Sequence, residues 1–116
     1  MTSKDEQKHL NTIAALGCVV CRNENLGETP PEIHHRRSGY GVSEKAPHVE
    51  AIPLCHWHHR IADGTTKFEG HISYHVSPER FEDRYGTENA LLDQTRGECP
   101  CKLCRDWRKT GARYDE

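Results

Sequence analysis

Two short pairs of metal-ligating residues, separated by a long insertion, constrain this chain more than any other feature of its sequence. The first pair is Cys18-x-x-Cys21 and the second is Cys55-x-x-His58. Each pair puts two ligands on one tight turn, and together they supply the four ligands of a tetrahedral Zn²⁺ site. The insertion is too long for a two-cysteine, two-histidine finger. We therefore expect a zinc clip, formed by these four residues, that brackets an inserted hairpin.

Bound metal is also the expected source of stability, because the chain has few apolar residues with which to form a hydrophobic core. Only 34% of its 116 residues are hydrophobic, whereas six are Cys and nine are His. This length fits one domain with little to spare for a second. No apolar run approaches the roughly 18 residues of a membrane span, and no apolar stretch of a secretory signal is present. We expect a cytoplasmic protein, in which cysteines act first as metal ligands.

Caps and apolar spacing predict a small α+β fold with two short strands and flanking helices. The first helix begins at a capping box formed by Ser3 and Glu6 and ends at Gly17. Strands are expected between the two halves of the zinc clip, with helices on either side. The later segments are predicted as strands over 32–36 and 48–54, a helical turn over 56–63 and a loop over 65–76. A helix is then expected to begin at Ser77-Pro78, with Ser77 as its capping residue and Pro78 in its first turn. Another helix is expected over 88–96, with Gly97 as its stop.

Histidines gather in and beside the insertion. His34 and His35 lie on the first predicted strand, His48 begins the second, and His59 directly follows the zinc ligand His58. Adjacent residues point in different directions, so His59 can face a different site from His58. An imidazole titrates near neutral pH and suits a general base, and neutral imidazoles bind divalent cations. The pattern is typical of a catalytic layout, and surface histidines of a His-rich chain are the other interpretation.

These residues resemble the HNH endonuclease superfamily. The resemblance rests on Cys18-Val-Val-Cys21, Ile33-His34-His35-Arg36, His48 and Pro53-Leu54-Cys55-His56-Trp57-His58-His59. More narrowly, the Leu-Cys-x-Trp-His-His run is similar to the bacteriophage Ref group of RecA-dependent nucleases. The likeness is close over residues 12–62 and weaker over the helices at 77–96.

The resemblance implies a zinc-stabilised ββα-metal fold, in which a two-stranded hairpin and a helix surround one divalent cation. It makes His34 a ligand of the catalytic cation and His35 the general base. His48 takes the middle position, which is usually Asn, and would orient His35 or contact the cation. His59 matches the second cation ligand. The implied reaction is hydrolysis of DNA phosphodiesters, with Zn²⁺ in the clip and Mg²⁺ or Mn²⁺ as the catalytic cation.

The implied partners are DNA and a RecA-type recombinase filament, as for a phage or prophage recombination protein. Four cations next to the histidines are candidates for pairing with phosphates. They are Arg36, Arg37, Lys45 and Arg60. The net charge of −2 gives no global argument for nucleic acid, but segments 34–67 and 99–116 are locally basic.

A second cysteine cluster follows the last predicted helix. Cys99, Cys101 and Cys104 are candidates for a second zinc site, but they are one ligand short of a closed one. His71, His75 or a second copy of the chain are the expected sources of the fourth ligand. A disordered tail with metal-free cysteines is the alternative.

A competing assignment divides the cysteines differently. It pairs Cys101-x-x-Cys104 with Cys18-x-x-Cys21 as a four-cysteine site. That arrangement would leave Cys55 and His58 without a role, so we favour the zinc clip.

The expected organisation is a nuclease domain over 1–98 and a Cys-rich basic tail over 99–116. The expected function is that of a metal-dependent DNA endonuclease or nickase. A non-catalytic zinc module that contacts DNA or a recombination protein is the alternative, and a redox protein that uses Cys18-x-x-Cys21 is a third. His35 separates the first two, because a binding module needs no base beside cation ligands.

Overall fold

The helices and strands follow one another as short elements around a single hairpin. The structure is a computed structural model that describes residues 2–37, 39–41, 44–60 and 72–114. The elements are α1 (Lys4–Leu16), α2 (Val19–Asn23), β1 (Pro31–His35), β2 (Ala51–Cys55), α3 (His56–His59), α4 (Pro78–Tyr85), α5 (Glu88–Glu98) and α6 (Lys102–Thr110). The predicted α+β class is confirmed. None of the described helices is long and apolar enough to cross a membrane.

An antiparallel pairing of β1 and β2 forms the centre of the fold. The register places His35 opposite Ala51, and every residue of β2 is buried. Because side chains alternate along a strand, Glu32 and His34 share one face of β1, while Ile33 and His35 share the other. The two adjacent histidines therefore enter different surroundings.

Two small hydrophobic clusters are built on the two faces of β2. Ile52 and Leu54 belong to the larger cluster, in which Phe81 of α4 is the largest buried side chain. Ala51 belongs to the smaller cluster, together with Ile13 of α1. Five of the six cysteines are buried members of these clusters. Thiols thus occupy core positions that a larger domain would fill with apolar side chains.

The first helix matches its prediction. The Ser3 hydroxyl accepts from the Glu6 N–H, and the Glu6 carboxylate accepts from the Ser3 N–H, both at 3.1 Å. Gly17 ends α1 with a φ of +84°, a backbone conformation that favours glycine. The helix packs against both strands and α6, and it also contacts the 3-10 turn His48–Glu50.

The boundaries of the second strand and the following helix differ from the prediction. A strand was expected over 48–54, but the Glu50 N–H donates to the Pro47 carbonyl at 2.9 Å and closes the 3-10 turn, so β2 begins at Ala51. The helical turn was expected over 56–63, and the described helix is α3, His56–His59. Residues 61–71, which include most of the predicted loop, lie outside the described residues.

The C-terminal part of the chain is more regular than predicted. Gly97 does not stop α5, because the Cys99 N–H donates to the Thr95 carbonyl at 2.9 Å and Gly97 is not among the residues with positive φ. The expectation of a disordered tail is wrong, because α6 forms and packs against α1 and α5.

Two helix starts that look alike in sequence behave differently. The Thr87 hydroxyl caps α5 by accepting from the Ala90 N–H at 3.0 Å. Ser77 stands at the same position before α4, but its side chain makes no capping hydrogen bond. The predicted capping role of Ser77 is therefore wrong, and α4 begins with Pro78, whose fixed φ suits a first helical turn.

We predict that Thr87→Ala destabilises the protein by about 1 kcal/mol, because it removes a side-chain cap. The matched control is Ser77→Ala, which removes a hydroxyl from the same position of a helix that has no such bond. The free energy of unfolding from urea titration measures both changes. Equal losses in the two variants would contradict the capping assignment.

Candidate functional site

The four residues of the zinc clip come together in the interior. Cys18, Cys21, Cys55 and His58 are all buried, and their ligand atoms lie within 4.8 Å of one another. The Nδ1 of His58 is 3.2, 3.5 and 3.7 Å from the sulfurs of Cys55, Cys21 and Cys18. The sulfurs of Cys21 and Cys55 are 3.7 Å apart. A tetrahedral zinc ion requires separations of about 3.6 Å between N and S and about 3.8 Å between two S.

Helix starts explain why each ligand pair converges. Cys18 is the N-cap of α2, and Cys21 is the third residue of that helix. Cys55 is the N-cap of α3, and His58 is its third residue. The N-cap and the third helical residue lie on the same side of the first turn, so their side chains can meet at one point. The local fold therefore prearranges both halves of the clip.

Without a metal ion, the four groups of the clip share protons with one another. The neighbouring thiols of Cys18 and Cys55 and the imidazole of His58 lower the pKa of Cys21. Burial disfavours charge on His58, but hydrogen bonds to the Cys21 and Cys55 sulfurs raise its pKa to about 9. A zinc ion would take the place of the proton that these groups share.

A second group contains three histidines. We call His34, His59 and His75 the histidine cluster, and their ligand atoms also lie within 4.8 Å of one another. Ring centroids are 5.2 Å apart for His34 and His59, and 4.7 Å for His59 and His75. His34 and His59 are the two predicted cation ligands. His75 is the exposed member, so the cluster opens to solvent on that side.

Backbone hydrogen bonds bring His75 to the other two. The N–H groups of Tyr74 and His75 donate to the carbonyls of His58 and His59 at 2.8 and 3.0 Å. The segment at 74–75 therefore runs alongside α3. The Nε2 atoms of His59 and His75 approach to 3.1 Å. A cation bound to both nitrogens would replace the hydrogen bond that one of them donates to the other.

Each of the two buried rings of the histidine cluster has one nitrogen in contact with a carboxylate. Glu88 of α5 contacts Nε2 of His34 at 2.6 Å, and both side chains are only 2% exposed. Glu32 contacts Nδ1 of His59 at 2.8 Å. A carboxylate on one ring nitrogen fixes the tautomer and leaves the other nitrogen for a cation. Here Nδ1 of His34 and Nε2 of His59 are the atoms left.

His59 and His75 are held neutral, which is the form that binds a cation. Burial, reinforced by the proximity of His34 and His75, lowers the pKa of His59 to about 4 even though Glu32 opposes the shift. Burial and the nearby charges of His34, Arg37 and Arg60 also lower the pKa of His75, although Glu88 opposes the shift.

On the other face of β1, His35 belongs to a chain of three hydrogen-bonding groups. Its Nε2 is 3.1 Å from Nδ1 of His48, and Nε2 of His48 is 3.2 Å from the Thr2 hydroxyl. Burial and the nearby His48, His34 and Lys45 lower the pKa of His35. The His35–His48 contact is the one expected if His48 orients His35.

One open cavity of about 560 Å³ joins these groups. Its histidines are His34, His35, His48, His59 and His75. The exposed cations Arg37 and Lys45 also line it. Arg60 is exposed but contacts Glu32 at 3.1 Å. Arg36 is held inside the fold by Glu50 at 3.1 Å and Asn89 at 2.8 Å. The contact of these four cations with DNA stays a prediction.

The cysteines after α5 form a third group with an unexpected partner. Cys99, Cys101 and Cys104 gather around His9 of α1, and we call these four residues the end cluster. The expectation that His75 completes this set is wrong, because His75 belongs to the histidine cluster. His71 lies outside the described residues, and no second copy of the chain is needed for four ligands.

The competing four-cysteine assignment is also wrong. Cys101 and Cys104 lie in the end cluster, whereas Cys18 and Cys21 meet Cys55 and His58 in the zinc clip. All six cysteines are thus divided between two groups of three, each with one histidine. Such four-ligand groups favour metal binding over an isolated redox pair.

Sequence reasoning missed the residues that act across elements. The sequence could have indicated Glu32, because it lies two residues before His34 on the same strand and therefore on the same face. Glu88 and His9 carried no signal, because their partners lie 54 and at least 90 residues away. Thr2 gave no signal either.

The chain matches one family model, described as recombination enhancement, RecA-dependent nuclease, over residues 2–98. The matched span covers more than half of the chain. It includes the whole zinc clip, the histidine cluster and the His35–His48 pair. Cys99, Cys101 and Cys104 lie beyond it.

We predict that Cys55→Ser removes one equivalent of tightly bound zinc and lowers the melting temperature, because the zinc clip loses a ligand between β2 and α3. Zinc content by mass spectrometry and unfolding by circular dichroism measure the two effects. The control is His56→Ala, a partly exposed neighbour outside all three groups. Full zinc content in Cys55→Ser would contradict the assignment.

Proposed function

This chain belongs to the family of recombination-enhancement, RecA-dependent nucleases, and from that premise we propose that it is a metal-dependent DNA endonuclease or nickase with an HNH-type site. One observation carries the proposal. A neutral, oriented imidazole, His35, lines the same cavity as a three-histidine cluster suited to a divalent cation. A non-catalytic zinc module has no use for that combination.

His35 is the proposed general base. A proton on Nε2 of both rings satisfies both contacts, since His35 then donates to Nδ1 of His48, and His48 donates to the Thr2 hydroxyl. This tautomer leaves Nδ1 of His35 unprotonated and able to take a proton from water. Its lowered pKa keeps it unprotonated at neutral pH. His48 is then a positioning residue, as the resemblance implies.

The histidine cluster fits a divalent cation by its donor set. His34, His59 and His75 offer three imidazole nitrogens, two of them on rings that Glu88 and Glu32 fix. When bound there, a divalent cation would neutralise the charge that develops on the leaving oxygen of the phosphodiester. The exposed side at His75 leaves room for a phosphate oxygen and water.

The donor set bears on the choice of cation. Three imidazoles are softer ligands than the carboxylates and waters that Mg²⁺ usually keeps. The two nearby carboxylates engage the histidine rings, so they add charge without adding ligands. Of the two expected cations, Mn²⁺ therefore fits this site better than Mg²⁺.

DNA would approach along the open side of the cavity. Arg37 and Lys45 line that side and are exposed, so they can pair with phosphates. Such contacts fix the position of the backbone and read no sequence. A RecA filament, which the family description names as a requirement, would then supply the selection of the target that this small surface lacks. A role in phage or prophage recombination agrees with this arrangement, in which the protein binds the DNA backbone and the RecA filament selects the target.

We predict that His35→Ala abolishes Mn²⁺-dependent cutting of DNA, because water loses its proton acceptor. A general base contributes about 10²–10⁴-fold to a rate. Zinc content and the melting temperature should stay at the wild-type level, because His35 belongs to none of the metal groups. Cutting is measured on supercoiled plasmid and on DNA paired within a RecA filament. The control is Glu79→Gln, at an exposed position of α4 outside the cavity lining.

Two outcomes contradict the nuclease proposal. One is a His35→Ala protein that cuts as fast as the wild type. The other is a wild-type protein that never cuts DNA with Mg²⁺, Mn²⁺, Co²⁺ or Ni²⁺, with or without a RecA filament. The second outcome would favour the zinc module that only binds DNA or a recombination protein.

We predict that His75→Ala weakens Mn²⁺ binding at least about tenfold, since even the loss of an outer-shell partner has that effect. Electron paramagnetic resonance of free Mn²⁺ measures the affinity without reference to cutting. The zinc clip shares no residue with this cluster, so its zinc should remain. The control is Glu79→Gln, at an exposed position of α4 outside all three metal groups. Unchanged Mn²⁺ affinity would remove His75 from the cation site.

A further inference from the structure

The end cluster has no part in the proposed reaction, yet its geometry is that of a closed metal site. Nδ1 of His9 is 3.3, 3.4 and 3.9 Å from the sulfurs of Cys101, Cys104 and Cys99. These values bracket the separation of about 3.6 Å between N and S around a tetrahedral zinc ion. The zinc clip has the same composition and a similar range of distances.

The ring of His9 is held only by these sulfurs. It is fully buried in α1, and its Nε2 has no hydrogen-bond partner among the described residues. An imidazole buried at such a place costs free energy unless one of its nitrogens has a strong partner. Three thiolates and one histidine are the donor set of a structural zinc ion.

The cysteines are arranged as in the zinc clip. Cys101 is the N-cap of α6, and Cys104 is the third residue of that helix, so one turn again presents two ligands. Cys99 is the C-terminal cap of α5. Arg96 donates to the Cys104 sulfur at 3.5 Å. A guanidinium beside a sulfur offsets the excess negative charge of three thiolates around one divalent ion.

We propose that His9, Cys99, Cys101 and Cys104 bind a second structural zinc ion that joins the two ends of the chain. His9 of α1 is 90 to 95 residues away from the three cysteines, which lie at the end of α5 and the start of α6. Three of the four ligands lie beyond the span that matches the family model. The site is therefore a feature of this chain's own C-terminal segment.

Such a site would act on the cavity through α1. The residues that precede and begin α1 reach the cavity, where Thr2 contacts His48 and Glu6 forms part of the lining. Zinc at the end cluster fixes α1 against α6 and hence holds Thr2 beside His48. The second zinc ion thus supports the residue that orients the proposed base, without touching it.

Cobalt substitution tests the proposal on the full chain. Absorption from thiolate to Co²⁺ grows with the number of Co–S bonds, and the histidine cluster adds none because it has no sulfur. We expect the wild type to give twice the band of a Co²⁺-loaded peptide with three cysteines and one histidine. A variant with Cys99, Cys101 and Cys104 all changed to Ser should give half the wild-type band.

A milder pair of variants tests the role of His9 itself. His9→Gln keeps the size of the side chain but removes a good zinc ligand. It should lose one of the two tightly held zinc ions at a chelator concentration at least about tenfold lower than the wild type does. Lys8→Gln, at an exposed position of the same helix, should behave as the wild type.

Three results would overturn the proposal. The first is a wild-type band equal to that of the single-site peptide. The second is a His9→Gln protein that keeps both zinc ions as firmly as Lys8→Gln does. The third is a wild-type mass showing a disulfide among Cys99, Cys101 and Cys104 in freshly purified protein. The wild-type measurements decide the matter even if the triple variant does not fold.

Discussion

The tetrahedral arrangement of Cys18, Cys21, Cys55 and His58 is the constraint on which the rest of the structure depends. It ties α2 to the junction of β2 and α3, and so it fixes both ends of the insertion that carries the hairpin. The core around it is small, and its thiols belong to that core. Distances between ligands vary little once four atoms share one ion. The clip can therefore set the position of His59, the residue after its last ligand, more firmly than packing alone would.

The same local geometry, a pair of ligands at the start of a helix, occurs in both cysteine groups. Three ligand pairs span the N-cap and the third residue of a helix, at α2, α3 and α6. Because this geometry depends on only four consecutive residues, the spacing C-x-x-C or C-x-x-H was enough to predict the zinc clip. The capping box of α1 and the alternation along β1 are equally local, and they too were predicted. The sequence therefore predicted those features whose geometry depends on residues within one helical turn or one strand.

Contacts between distant elements escaped prediction for a physical reason. His9 meets its cysteines only because α6 packs against α1, and the sequence of neither helix indicates that the two are in contact. Glu88 reaches His34 only because α5 packs beside β2. His75 was considered as a ligand of the wrong cluster, since its position depends on backbone hydrogen bonds to α3. In each case the residue type indicated that the side chain could bind a metal ion or a hydrogen-bond partner, but only the tertiary fold determines which residue that partner is.

The pairing of His34 with His35 shows how a short strand can separate two chemical tasks. Alternation turns His34 toward Glu88 and the histidine cluster, and turns His35 toward His48 and α1. A cation ligand must keep its nitrogen for the ion, whereas a base must keep its nitrogen for a proton. If both rings faced the same way, one ion would compete for both nitrogens. Opposite faces of one strand, meeting at one cavity, allow each ring its own partner, and in the proposed reaction both rings would still reach the same phosphate.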